Sequence, residues 1–228
     1  MTKVVKPVDA AGLVLIRAGA RGEPEILLGR RHRKAGFLPD IYVVPGGRVD
    51  AADHAPSGFA EMLNPAVAAA LQSGGSRRPA LAFARAALRE THEETGLLVG
   101  DSGQPVDSPG EPVWQAYGSA GLAPDFGTLD FICRAITPVT SHRRYNTRFF
   151  LADGARAVGS VNGSGELEDL AWRPVPALAG LNIVDVTEYV LKEALRRWQA
   201  RSPAGAEPPK LLNYRKDIMT LSRHRMRV

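Results

Sequence analysis

The sequence predicts an α/β domain, on three observations. Short apolar runs bounded by turn residues recur at 9–17, 25–30, 128–137 and 145–152, which is a strand pattern. Two longer segments, 79–95 and 184–199, space their apolar residues as helices do. The chain has 228 residues, enough for one domain with elaborations and a sizeable core.

In order, 9–17 reads as a buried strand, 18–24 as a Gly-rich turn and 25–30 as the hairpin partner. Arg30, Arg31, Arg33 and Lys34 then open a loop. Four positive charges there suit a phosphate-bearing ligand, or merely a solvated loop. Residues 41–44 form a short strand running into Pro45-Gly46-Gly47, where the backbone can approach a ligand closely. Ser57 is placed to cap a helix through Phe59, Met62 and Leu63, which Pro65 interrupts; 66–71 adds a further turn or two. That small apolar face suits a pocket cover, a subunit contact or its own packing. Residues 72–78 read as a flexible link, 100–112 as a surface loop and 113–121 as a short helix.

The strands at 128–137 and 145–152 form a hairpin about the turn 138–144. His142, Arg143 and Arg144 in that turn face either a ligand or solvent. A Gly-rich loop from Asn162 carries Glu166, Glu168 and Asp169 into a strand ending Trp172-Arg173-Pro174. After the amphipathic helix 184–199 comes a Pro/Gly/Ala linker, 203–209. Leu211, Leu212, Tyr214, Ile218, Met219 and Leu221 mark the tail as partly docked. The predicted division is a domain over 1–200, then a linker and basic tail over 201–228.

The helix from Pro79 organises the rest. It is rich in Ala and Leu, strong helix formers. Pro79 suits its first position and Gly96 the residue past its end. At about 100° per residue, Leu81, Ala84, Leu88, Thr91, His92 and Thr95 make one buried stripe. Glu90, Glu93 and Glu94 fall on the opposite side, crowding three carboxylates into little more than a turn. Like charges so spaced repel, and they oppose the helix dipole. A hard divalent cation such as Mg²⁺ relieves both effects. A solvated acidic helix end is the plainer alternative. Arg89, four residues before Glu93, is placed to pair with it.

The run Arg89-Glu90-Thr91-His92-Glu93-Glu94-Thr95-Gly96-Leu97 resembles the second half of the Nudix hydrolase signature. Thr91 stands where an aliphatic is usual. Pro45-Gly46-Gly47 resembles the first half, with Asp53 where the family has Glu. Residues 54–88 occupy a space where the family pattern has seven. This resembles the branch with an interrupted box that includes a peroxisomal CoA diphosphatase.

The resemblance implies an α/β/α sandwich around a mixed sheet, with a helical insertion at 54–81 inside the box. It implies Mg²⁺ or Mn²⁺ on Glu90, Glu93 and Glu94, with the Gly46 carbonyl in reach. Arg89, Glu93 and Glu166 are then the catalytic candidates, with Glu168 second to Glu166. Arg30, Arg31, Gly46, Gly47 and Arg144 are the substrate-binding candidates.

The implied reaction is metal-dependent hydrolysis of a small-molecule diphosphate, CoA or acyl-CoA first. ADP-ribose or NADH is the alternative, because Gly29 and Val44 depart from the compact CoA motif of other Nudix CoA hydrolases. A non-catalytic ligand or nucleic-acid binder is the third reading. The net charge of +5 lies wholly within 210–228, so a nucleic-acid face is not expected. The apolar runs are too short to span a membrane. One cysteine, Cys133, no secretory signal and a C-terminus unlike Ser-Lys-Leu point to the cytoplasm. A homodimer is left open.

Overall fold

The computed structural model describes residues 5–73, 77–107, 110–215 and 218–223. The first half runs β1 (Val8–Ala18), β2 (Pro24–Arg31), β3 (Tyr42–Val43), β4 (Gly46–Arg48), α1 (Pro65–Ser73), α2 (Ala80–Thr95) and β5 (Leu98–Ser102). Then come α3 (Pro112–Ser119), β6 (Leu122–Pro124), β7 (Asp130–Ile136), β8 (Tyr145–Asp153) and β9 (Ala157–Val158). Last are β10 (Leu167–Pro174), α4 (Asp185–Gln199), β11 (Lys210–Arg215) and β12 (Ile218–Arg223).

Among the described residues the main sheet has the order β10-β2-β1-β8-β7-β11-β12, with β3 on β2 and β4 on β1. It is mixed: β1 runs parallel to β8 and β11 parallel to β7, while β1–β2, β2–β10 and β7–β8 are antiparallel. A smaller sheet, β6-β5-β9, stands beside it.

The strand period of two divides the core. Ala11, Leu13, Leu15 and Leu27 point to one face and pack with α1, α2 and α3 through Val67, Phe83, Leu88 and Trp114. Val14, Ile16, Ile26 and Leu28 point to the other and meet Val190, Leu191 and Ala194 of α4. The α/β/α sandwich is therefore as expected. Among the described residues no helix is long and apolar enough to cross a membrane.

Two regions differ from the sequence reading. Residues 57–64 form no helix, and Pro65 opens α1 rather than interrupting a helix. Proline is well tolerated in a first turn, where its missing N–H would have had no helical partner. The Ser57 hydroxyl instead accepts the Phe59 N–H at 3.2 Å. Phe59 and Leu63 enter the main core, whereas Met62 stays 79 % exposed.

The tail, expected to be partly docked, joins the main sheet as strands. Residues 210–212 pair with β7 in parallel, and Leu212 is fully buried. The preceding linker is pinned by the buried Arg197 guanidinium, which donates to the carbonyls of Glu207 and Pro208. The tail charges Lys216, Asp217, Arg225 and Arg227 lie outside the described residues.

Candidate active site

Helix α2 closes on Gly96, in the left-handed conformation at φ 75°, where a glycine is most readily accommodated. The helix is buried nearly all round, which a single stripe did not anticipate. The reason lies in the insertion, which covers the outer face. Arg85 is bound by both oxygens of Glu61, and donates to the Asp53 carbonyl at 3.0 Å. Burial pushes the Glu61 carboxyl up, but hydrogen bonds from Arg85 and Ser57 outweigh it and hold it below its usual range.

One turn on, Arg89 grips Asp53 through two bonds, Nε to Oδ1 at 2.9 Å and Nη2 to Oδ2 at 3.0 Å. Its Nη1 donates to Glu90 Oε1 at 3.0 Å and Glu93 Oε2 at 2.8 Å. Arg89 thus pairs with Glu93 as the spacing predicted, and with two further acids.

The Gly46-Gly47 bend fits against the same helix. The Gly46 N–H donates to Glu94 Oε2 at 2.8 Å. A Cβ on Gly47 would lie 2.3 Å from the Glu90 carboxyl carbon, and one on Gly46 would lie 2.4 Å from the Ala11 carbonyl oxygen. Only glycines leave room here for both the neighbouring strand and the acid.

Glu90, Glu93 and Glu94 each spend one oxygen on a protein donor and leave the other without a hydrogen bond among the described residues. They are not equivalent. Glu94 is buried and Glu90 nearly so, whereas the Glu93 side chain is 51 % exposed. Burial raises the Glu90 carboxyl to about 7, against the pull of Arg89 and with repulsion from Glu93. Burial raises Glu94 to about 8, with Glu90 and Glu166 adding to it and the Gly46 N–H opposing. Among the described residues, no three His, Cys, Asp or Glu side chains are already drawn together as a cation cage.

All three acids line a cavity of about 740 Å³, together with Arg31, Gly46, Gly47, Arg89 and Glu166. Arg31 Nε is buried with no hydrogen-bond partner, and its charge lowers the pKa of Glu94. Among the described residues this leaves a buried guanidinium nitrogen and carboxylate oxygens without hydrogen bonds in one cavity, an arrangement that costs free energy until it is satisfied.

Other candidates fall elsewhere. Arg30 is held by Asp40 at 2.6 Å and Glu168 at 2.9 Å, off the cavity wall. That pairing removes Glu168 from the site as well. Arg144 spends its guanidinium on the carbonyls of Thr137 and Val5 and braces the strand ends. His142 is exposed beside the Gly36 carbonyl. The clamp of Arg85 on Glu61 was not anticipated. Its signal was two arginines four residues apart on one helix.

A crystal structure of a NUDIX hydrolase from Alicyclobacillus acidocaldarius matches 90 % of this chain and 100 % of that one, at 31 % identity and a TM-score of 0.65. The chain belongs to the Nudix hydrolases. Its two half-signatures, far apart in sequence, meet in space through Arg89 on Asp53 and Glu90 on Gly47. The Nudix box is therefore interrupted in sequence and continuous in structure. The MutT protein of Bacillus halodurans shares the fold at 15 % identity and a TM-score of 0.50, over 94 % of this chain and 97 % of that one. Acyl-coenzyme A diphosphatase NUDT19 of Gallus gallus is 29 % identical over 204 residues, covering 62 % of this chain and 54 % of that protein. The chain thus spans about half the length of that relative. No family model matches the chain.

Proposed function

We propose that this Nudix hydrolase cleaves the diphosphate of CoA or an acyl-CoA and depends on Mg²⁺ or Mn²⁺. The observation that carries the reading is a pair of carboxylates, buried Glu94 and nearly buried Glu90, flanking the Gly46-Gly47 bend. Each has an oxygen to spare, and Arg31 stands in the same cavity.

This donor set fits a hard divalent cation. It offers only oxygen ligands, and burial raises the pKa of Glu90 and Glu94, a cost that bound positive charge would offset. Glu90, Glu93 and Glu94 would hold the ion, Glu93 from the solvent side. When bound, such an ion neutralises phosphate charge and acidifies a water molecule.

The protein's own groups supply the rest. Arg89 fixes Glu90 and Glu93 from behind, and Asp53 fixes Arg89. Arg31 offers its guanidinium to a phosphate oxygen. Glu166 lines the open side of the cavity and accepts the proton of the attacking water, with Glu93 the alternative base. Water attacks one phosphorus, the bridging oxygen leaves with the other phosphate, and two phosphate monoesters result. The similarity to an acyl-CoA diphosphatase supports CoA as the substrate class.

The test is a panel of CoA, octanoyl-CoA, ADP-ribose, NADH and capped RNA, with and without Mg²⁺ or Mn²⁺. The expected result is metal-dependent release of 3′,5′-ADP from the CoA compounds at the highest kcat/KM. Faster cleavage of ADP-ribose or NADH would replace the substrate class. Equal turnover without metal would overturn the site.

A further inference from the structure

The cavity changes character across the sheet. On the side of β2, β4 and the loop before β10, its lining is charged, from Arg31 and Arg48 to Glu90, Glu94 and Glu166. On the side of β8, β7 and β11, it includes Ile136, Tyr145, Phe149, Val186 and Tyr214, with the uncharged hydroxyls of Thr137, Thr147 and Thr187 among them. Three strand spacings separate β1 from β11, roughly 14 Å. Among the described residues no Lys or Arg lines this second side.

Among the described residues the single acid here, Asp185, is already engaged. Its Oδ1 accepts the Tyr214 hydroxyl at 2.7 Å and the Val186 N–H at 2.7 Å. Phe37 closes over Tyr145 edge-on, ring centres 5.0 Å apart. Tyr214 comes from the C-terminal hairpin and Asp185 from the first turn of α4. Their bond ties two separate elements into one wall.

A CoA ester has two unlike halves. The 3′,5′-ADP half carries an extra phosphate and calls for a cation. The acylated pantetheine half is uncharged and ends in hydrocarbon. A wall with no basic residue among those described suits the second half. We infer that the side of the cavity over β8, β7 and β11 takes the acyl-pantetheine arm, and that Tyr214, braced by Asp185, sets the preference for acylated substrates. The inference rests on the CoA reading and assigns one half of that substrate to a named wall.

Binding separates the two claims. Phosphopantetheine and octanoyl-phosphopantetheine lack the cleavable diphosphate, so calorimetry on the full chain reads the arm alone. Wild type is expected to bind the octanoyl compound at least about tenfold tighter, the worth of a few buried methylenes. In Tyr214→Ala that advantage falls below about threefold, and in Tyr214→Phe, which keeps the ring, most of it survives. Circular dichroism and a cooperative melt certify each variant. If Tyr214→Ala does not fold, Asp185→Asn, which loosens the brace, must lower the same ratio. No acyl advantage in wild type, or an unchanged ratio in the folded variants, overturns the inference. Turnover of ADP-ribose with none of any CoA ester overturns the substrate class, while the binding ratio still decides the wall.

Discussion

Two buried arginine clusters in this protein have opposite outcomes. Arg197 is fully buried and donates to Asp130 and Glu193, each at 2.9 Å. The second oxygen of Asp130 takes the Gly205 N–H, and the second oxygen of Glu193 takes Arg196. Every carboxylate oxygen there is used. Burial pushes Glu193 up, but its arginine hydrogen bonds outweigh that and hold it below its usual range. Around Arg89 the count does not close. Among the described residues Glu90 and Glu94 each keep an oxygen unbonded, and burial raises both. A saturated network holds elements together, here the 203–209 linker. An unsaturated one stores an unfavourable charge that a ligand can relieve.

The contrast can be broken at several points. The largest effect is expected for Glu94→Gln or Glu90→Gln, with kcat/KM falling on the order of 10³-fold while urea unfolding stays cooperative. Turnover near wild type on the true substrate would show that these acids hold no ion. Next is Arg197→Met. It leaves two buried acids short of a partner and should lower unfolding free energy by about 3–5 kcal/mol, with kcat retained. If activity falls as steeply as stability, the two clusters are not separate. Glu166→Gln is expected to reduce kcat by roughly 100-fold. No loss would move the base to Glu93.

The raised acids also set a pH dependence. In the unfolded chain they ionise near the ordinary glutamate value of about 4.3, and in the folded chain at about 7 and about 8. Between those limits the folded state binds more protons than the unfolded one. Stability of the metal-free protein should therefore fall as pH rises from about 4.5 to 8, and Mg²⁺ should flatten the fall. A rise over that window in urea melts would contradict the assignment. Smallest of all is Arg30→Ala. It removes a partly exposed pairing outside the cavity, so kcat/KM should change less than about twofold.

The sandwich, both long helices and the central hairpins were legible because their periodicities are strong and local. So was the acidic cluster, because charge repulsion on one helix needs no tertiary information. What was not legible depended on distant partners. Glu90 and Glu94 were expected on an outer face, but the Gly46-Gly47 bend packs against them, and the chain from Asp53 to Glu61 closes the adjoining flank through Arg85 and Arg89. Pro65 reads equally as a stop or a start, and only the packing of Val67 and Leu71 selects the start. Arg30 and Arg31 are adjacent in sequence. On a strand they point to opposite sides, and only Arg31 reaches the cavity.

The most direct test of the central claim is Mn²⁺ binding followed by electron paramagnetic resonance, on wild type and Glu94→Gln. Wild type should bind Mn²⁺, more tightly as pH rises from 6 to about 8, and Glu94→Gln should lose at least about tenfold in affinity. Equal binding by the two proteins, or none by wild type, would contradict the account.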